Sequence, residues 1–328
     1  MPHVSQAWHT IACTSTVTQN GPVPMPGSAP IVLTWSDGTH ASEAVVRSLG
    51  ASLNGLTIDG RAIIPADTEA ARERWFGGFT LAPWPNRLRD AQWSLDGIEY
   101  RAQANDDHGH ALHGLVHHRD FDVAGFTTSS ILMAHTLGAD AAYPWPLRIE
   151  VSYALGPNGL TCTIGATNLA DRRLPVAVGV HPYLAYDDAC TITVPAKAVC
   201  DNDATLIPTG ALLSPDTVDV VPSAPVRMAD LSLDHCFTQL TREGDGLART
   251  RITYGDGSGA EVWQDAAMPY LQLFTKRDFP WAAPGLHGIG IEPQTAPANA
   301  LQTGTDLHWL EPSESWTVRW GIRRTAAN

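Results

Sequence analysis

The chain has 328 residues, with 34 acidic against 21 basic side chains and a formal charge of −13. That balance excludes a generic electrostatic nucleic-acid binder, which needs a basic face to neutralise phosphates. Charged residues make up 17% and hydrophobic ones 44%, so the chain has material for a large core and little for a disordered, solvating role.

Residues 1–30 end in the stretch GPVPMPGSAP and read as an irregular N-terminal arm. The arm lacks a basic segment followed by an apolar one, and no window of the chain approaches the roughly 18 apolar residues of a membrane span. A cytoplasmic protein without a membrane partner is therefore expected. Further on, DTEAARERW (residues 67–75) has the makings of one or two helical turns, with Asp67 or Thr68 as the cap. In WSLDGIEYR, Asp96-Gly97 lies between two alternating arms and predicts a hairpin, because a type I′ turn needs two residues that tolerate positive φ.

Period-two alternation then runs almost to the C-terminus. Leu147, Ile149, Val151 and Tyr153 alternate with polar or small residues, as do Leu160, Cys162, Ile164 and Ala166. The segment TITV at 191–194 and the series Trp316, Val318, Trp320 and Ile322 continue the pattern. With 24 prolines and 28 glycines there is little room for sustained helical spacing, and no alternation of strands with helices emerges. The expectation is an all-β fold, a large antiparallel β-sandwich with few short helices, formed by residues 31–328 as one domain. Five cysteines, Cys13, Cys162, Cys190, Cys200 and Cys236, show no CxxC spacing and are expected as reduced, mostly packed thiols.

Several polar residues sit where chemistry could be carried. Five histidines crowd into DDHGHALHGLVHHRDF: His108, His110, His113, His117 and His118. His108 and His110 on a strand would point to one face and could hold a metal, but no carboxylate follows closely, so loop histidines with one or two functional members are the competing reading. Gly109 and Gly114 mark bends where backbone or ligand approaches closely. His181 follows an apolar strand and precedes Pro182, a setting equally suited to a structural histidine. Glu292 ends an apolar run just before Pro293; a carboxylate there is costly to bury unless it is paired or used, and otherwise lies on the surface. Asn86-Arg87 and Asp234 are further polar residues in apolar surroundings.

Taken together, WPNRLRD, ALHGLV, GVHPYL, LDHCF and IEPQTAPANA resemble the aldose 1-epimerase (galactose mutarotase) family, in the family's order and over roughly residues 31–323. The resemblance implies a β-sandwich with sugar bound in a groove on one concave sheet. It implies Glu292 as general base and His181 as general acid, with Arg87, His113 and Asp234 holding sugar hydroxyls and Asn86, the motif neighbour of Arg87, in the substrate-binding set as a residue that orients the site. LHGLVHHRDF departs from the commoner LHGG followed by an aromatic region and is similar to the more divergent aldose 1-epimerase-like members.

Anomer interconversion opens the hemiacetal, turns the carbonyl face and closes the ring again, so one acid and one base suffice and neither a cofactor nor a metal is expected. Negative charge from Glu292 and Asp234 is expected to keep His181 or His113 partly protonated. For each tryptophan core packing outweighs sugar contact, and Trp84, just before Pro85-Asn86-Arg87, is the favoured candidate for stacking on a sugar. A small-molecule sugar is the expected partner, and the chain is expected to be a monomer or else a dimer. A hexose-6-phosphate 1-epimerase using Arg72, Arg74, Arg89 or Arg119 remains open. So do a non-catalytic carbohydrate-binding protein of the same fold and a metal enzyme built on His108 and His110.

Overall fold

The computed structural model describes residues 29–282 and 285–326. The arm therefore lies outside the described residues except for its last two, and Cys13 lies outside them as well. The alternating segments pair as their pattern demands. Leu147–Gly156 and Gly159–Asn168 run antiparallel in unbroken register, from Leu147 opposite Asn168 to Gly156 opposite Gly159. Leu147, Ile149, Val151 and Tyr153 are fully buried while their neighbours are not, so the period of two in the sequence is the inward and outward face of one strand.

These two strands lie within a nine-stranded antiparallel sheet that also takes in Ser130–Leu137 on one side and Ser315–Thr325, Gly259–Gln264 and Ala248–Thr253 on the other. A four-stranded sheet from Ile31 to Ile64 adds to this side of the protein. The hairpin at Asp96-Gly97 forms as expected, with φ of 53° and 79° at the two turn residues.

The second large sheet carries the polar residues. Its strands are β1 (Thr80–Leu81), β2 (Gly179–Val180), β3 (Tyr183–Tyr186), β4 (Ala196–Asn202), β5 (Pro208–Leu213), β6 (Asp234–Leu240), β7 (Tyr270–Lys276) and β8 (His287–Gln294). Their order is β5-β4-β6-β7-β8-β2-β1, with β3 also paired to β8, and every pairing is antiparallel. One face of this sheet is apolar: Phe237 on β6, Leu271 and Leu273 on β7, and Ile289 and Ile291 on β8 are all fully buried. They join a single hydrophobic cluster that runs from Ile31 to Ile322 and includes the inward residues of the nine-stranded sheet. The opposite face, one residue out of phase, is left free to line a cleft.

The helical turn expected at 67–75 is α1 (Glu69–Trp75), capped by Thr68, whose Oγ1 accepts from the Ala71 amide at 3.3 Å. Asp67 instead pairs with Arg72 at 2.5 Å. A second short helix, α2 (Ala300–Thr303), follows the segment 295–299. Among the described residues no helix is long and apolar enough to cross a membrane.

Candidate active site

Glu292 lies in the middle of β8, not at its tip as the sequence suggests, because the strand continues through Pro293 to Gln294. The alternation that buries Ile291 in the core turns Glu292 to the other face, where it is 1% exposed. Its row across the sheet is set by register: Glu292 is opposite Gln272 on β7, and Gln272 is opposite Cys236 on β6. His181 follows β2, and its backbone is fixed from both sides, donating to the Phe79 carbonyl at 3.0 Å and accepting from the Gly78 amide at 2.8 Å. This brings His181 Nε2 to 3.3 Å from Glu292 Oε1.

Burial dominates the electrostatics of this pair. It pushes the Glu292 carboxyl well above the usual carboxylate range, with the Asp234 charge adding to the rise and Gln294 and Arg87 opposing it. The same burial lowers His181 to about 3. His113 is also driven well below its ordinary value, by burial first and then by the neighbouring His181, His117 and Arg87. Burial thus works against the expectation that groove charge keeps one of these histidines protonated, since it pulls both toward the neutral ring. His181 Nδ1 is buried with no hydrogen-bond partner.

Arg87, Asn86 and His113 come from two facing loops. The two-residue strand Arg87–Leu88 pairs with Ala111–Leu112, and Gly114, at φ +71°, lets its backbone approach Ala82 so closely that a Cβ would lie 2.2 Å from the Ala82 carbonyl oxygen. The close approach expected at Gly114 is thus backbone against backbone, whereas Gly109 (φ +82°) is a bend in open space. Asn86 Oδ1 accepts from the Arg87 amide at 2.8 Å and from its guanidinium at 3.4 Å. Arg87 Nε donates to Asp106 at 3.2 Å, and Nη2 reaches to 3.9 Å from Asp234. Asp234, a third exposed, accepts from Gln272 Nε2 at 2.6 Å.

The resulting cleft is small, about 130 Å³, and is lined by Arg74, Trp75, Phe76, Asn86, Arg87, Leu112, His113, His181, Tyr183, Asp234, Gln272, Phe274 and Glu292. All six residues singled out in the sequence, Asn86, Arg87, His113, His181, Asp234 and Glu292, meet there. A larger cleft of about 680 Å³ elsewhere, lined by residues such as Trp35, His40 and Arg324, holds none of them.

Other expectations fail for identifiable reasons. His108 and His110 lie on a turn, not a strand; His108 is exposed, and His110 Nδ1 accepts from the Asp90 amide at 3.1 Å. Among the described residues no group of three or more His, Cys, Asp or Glu side chains is placed to hold a metal ion. Trp84 is 2% exposed and donates its indole N–H to the Ala111 carbonyl, so it is a core residue and not a stacking platform. The cleft's aromatic wall is Trp75, Phe76, Tyr183 and Phe274. The helix C-terminus at Trp75, with Phe76 in left-handed backbone (φ 54°), delivers the first two, and sequence alone gives no sign of where that turn lands. Asp106 and Gln272 were missed too, although the acidic pair before the histidine cluster is a visible signal for the former. Asn299 is a brace: its amide donates to the Arg87 carbonyl at 2.6 Å and its Oδ1 accepts from the Arg89 amide at 3.0 Å.

Two large antiparallel sheets, one of which carries on its free face a buried Glu–His pair beside an arginine and a carboxylate, define a β-sandwich with a candidate acid–base site. The family model for aldose 1-epimerase matches residues 32–323, and the chain belongs to that family. It is 28% identical over 275 residues to the uncharacterized protein YihR of Escherichia coli K12, covering 82% of this chain and 85% of that one. In fold it is similar to a GalM/aldose epimerase homologue from C. elegans, with a TM-score of 0.78 at 18% identity over 92% of this chain and all of that one. It also resembles galactose 1-epimerase from Lactobacillus acidophilus, with a TM-score of 0.71 at 20% identity, 89% of this chain and 94% of that one being covered. Family and fold together support a sugar epimerase function.

Proposed function

We propose that this protein is an aldose 1-epimerase that interconverts the α- and β-anomers of a free hexose. The observation that carries the reading is the 3.3 Å approach of His181 Nε2 to Glu292 Oε1 on the cleft floor. Ring opening and closure need a base within reach of the anomeric hydroxyl and an acid within reach of the ring oxygen, and this approach sets one of each side by side on the cleft face; a protein that only binds sugar needs neither. Glu292 takes the proton from the anomeric hydroxyl and His181 protonates the ring oxygen; after rotation about the C1–C2 bond the two act in reverse.

Burial places the pair's shared proton on Glu292 in the empty cleft. A sugar hydroxyl donating to the carboxylate, with the Arg87 guanidinium near it, lowers the cost of charge on Glu292, and the proton moves to His181 Nε2. Arg87 and Asp234 offer a planar donor fork and an acceptor on one side, and His113 Nε2–H a donor on the other, which discriminates hydroxyls by direction. The cleft's volume, well under the roughly 300–1,000 Å³ of pockets for drug-sized ligands, suits one sugar ring with part of it left in solvent. The rival 6-phosphate substrate is disfavoured because Arg72, Arg89 and Arg119 are each paired with a carboxylate, of Asp67, Asp203 and Asp140, and of the four arginines Arg74 lines the cleft.

The test is polarimetry or NMR of freshly dissolved α-glucose and α-galactose, with α-glucose-6-phosphate in parallel. Wild-type protein accelerates equilibration of the free sugars, and Glu292→Gln loses about a hundredfold or more of that acceleration. An unchanged rate in Glu292→Gln rules out the base; acceleration confined to the phosphate reverses the substrate choice.

A further inference from the structure

Cys236 shares β6 with Asp234 but takes no part in the acid–base chemistry, and it does not stand alone. Strands β4 and β6 pair with Ala196 opposite Leu240, Ala198 opposite Thr238 and Val199 opposite Phe237. One step further in the same register, Cys200 comes opposite Cys236. Opposed residues in an antiparallel pair have Cα atoms about 4.5–5.5 Å apart, within the roughly 4.4–6.8 Å over which a disulfide closes without displacing the backbone. Val199 and Phe237 face the core, so alternation puts both thiols on the cleft face, in line with Gln272 and Glu292 on the next two strands.

The side chains meet as the register requires. The two thiols lie in one small buried cluster with Tyr270, separate from the main core. Contact between the two thiols lowers Cys200 toward the thiolate and raises Cys236, whose burial adds to the rise. Cys200 is also the more accessible, 7% exposed against 2%. The other two described cysteines are placed differently: Cys162 lies between Tyr153 and Trp320 in the nine-stranded sheet, and Cys190 bonds to Asp187.

We propose that Cys200 and Cys236 are a redox modification site, a dithiol that a hydroperoxide oxidises to a cross-strand disulfide beside the sugar cleft and that a thiol reductant reopens. In the first step the Cys200 thiolate attacks the peroxide; the O–O bond breaks, the S–O bond of a sulfenic acid forms, and the leaving oxygen departs as water or alcohol after taking up a proton. In the second, the Cys236 sulfur attacks the Cys200 sulfur, the S–O bond breaks, and water leaves with the Cys236 proton. Two electrons pass from the sulfurs to the peroxide: two thiols and one hydrogen peroxide give one disulfide and two waters. Closure ties β4 to β6 two residues from Asp234, whose carboxylate Gln272 holds at 2.6 Å. Drawing the two sulfurs from contact into a covalent bond shifts the Cys236 side chain on the strand that carries Asp234, so weaker sugar binding is the expected consequence; it rests on the epimerase reading above, while the disulfide itself does not.

The experiment treats the reduced full chain with hydrogen peroxide, alkylates the remaining thiols, and maps the non-reduced tryptic digest by mass spectrometry. Cleavage after Arg227 separates the two cysteines, so a linked peptide is diagnostic. The expected result is a Cys200–Cys236 linked peptide, reversed by dithiothreitol, absent from Cys200→Ala and Cys236→Ala and retained in Cys162→Ala. Oxidation that stops at sulfinic acids, or links another cysteine, overturns the proposal using wild-type protein alone, whatever the variants' folding. KM for anomer interconversion is expected to rise several-fold in the oxidised wild type and to stay unchanged in peroxide-treated Cys200→Ala. A linked peptide with an unchanged KM overturns the coupling to the sugar site. Reduced protein with no epimerase activity overturns the epimerase reading and leaves the peptide map to decide the dithiol.

Discussion

Asn86 and His113 hold each other by two backbone-anchored hydrogen bonds: the Asn86 amide donates to His113 Nδ1 at 3.2 Å, and the His113 amide donates to the Asn86 carbonyl at 2.9 Å. Because Nδ1 accepts, the proton of the neutral ring sits on Nε2. Both residues adopt left-handed backbone, φ 55° and 66°, a conformation asparagine tolerates better than most residues.

Two substitutions at Asn86 separate backbone from side chain. Asn86→Ala keeps the Cβ in left-handed backbone but removes the Oδ1 acceptor of Arg87 and with it the local hydrogen bond that offsets the strain, so it is expected to cost about 1–2 kcal/mol of stability. Asn86→Gly removes the same acceptor without the backbone penalty and is expected to be the more stable. In both, the freed Arg87 raises KM several-fold. Urea denaturation and steady-state kinetics on the two variants check this; a wild-type KM in Asn86→Gly would show that the carboxamide does not orient Arg87.

Gly290 faces Glu292 and His181 from β8. A Cβ there would lie 3.0 Å from Glu292 Oε1 and 3.5 Å from His181 Cε1, so Gly290→Ala must displace the carboxylate by a few tenths of an ångström. Displacements of about 1 Å at a reacting group cost on the order of a hundredfold, and this smaller one is expected to lower kcat about tenfold. A thermal melt accompanies the kinetics: the melting temperature should stay close to wild type, since the added methyl meets a movable side chain and not backbone.

What the sequence conveyed, and what it withheld, follows from the range of each signal. Strands such as Leu147–Gly156 were legible because alternation is a local property that a two-faced sheet preserves. The type I′ hairpin at Asp96-Gly97 was legible because only a few residues tolerate its dihedrals. The six polar residues were recognisable from motif order, yet nothing local revealed that Gln272 would lie between Cys236 and Glu292, because that neighbourhood exists only through register across three strands. Trp84 misled because nearness in sequence to Arg87 is not nearness in the cleft: the chain turns between them through left-handed backbone at Asn86, and Trp84 is left in the core. The protonation of His181 misled for a different reason, since desolvation depends on burial that no motif encodes.

Buried neutral histidines make acid pH costly for this fold. His117 and His181 are both lowered to about 3, chiefly by burial. The unfolded chain protonates them near 6.5, so it binds protons that the folded chain refuses between those values. The stability these two histidines contribute is thus complete above about pH 6.5 and is lost as pH falls toward 3, by on the order of 1.4 kcal/mol per pH unit for each. His117→Phe keeps the aromatic packing against Phe76 and Phe79 and removes one titrating group. Urea unfolding at pH 7 and pH 5 is expected to show a shallower decline in the variant than in wild type; equal slopes would mean that His117 is protonated in the folded state.

The two tryptophans flanking the site separate packing from sugar contact. Trp84 is enclosed by the core and bonded to the Ala111 carbonyl at 3.3 Å; Trp84→Phe loses that bond and some volume, for an expected cost of about 1–3 kcal/mol with KM unchanged. Trp75 is only partly buried, stacks on Phe274 with centroids 5.9 Å apart and has the Lys276 ammonium 4.6 Å from its ring, so its position in the cleft wall is held by neighbours on its own side. An apolar sugar face packed on that wall is worth about 0.5–1.5 kcal/mol, by analogy with aromatic pairs. Trp75→Leu is therefore expected to raise KM several-fold with little change in melting temperature, the reverse of the Trp84→Phe pattern. Measuring both parameters on both variants decides the matter, because a KM effect at Trp84 and none at Trp75 would move the sugar to the other side of the Arg87 loop.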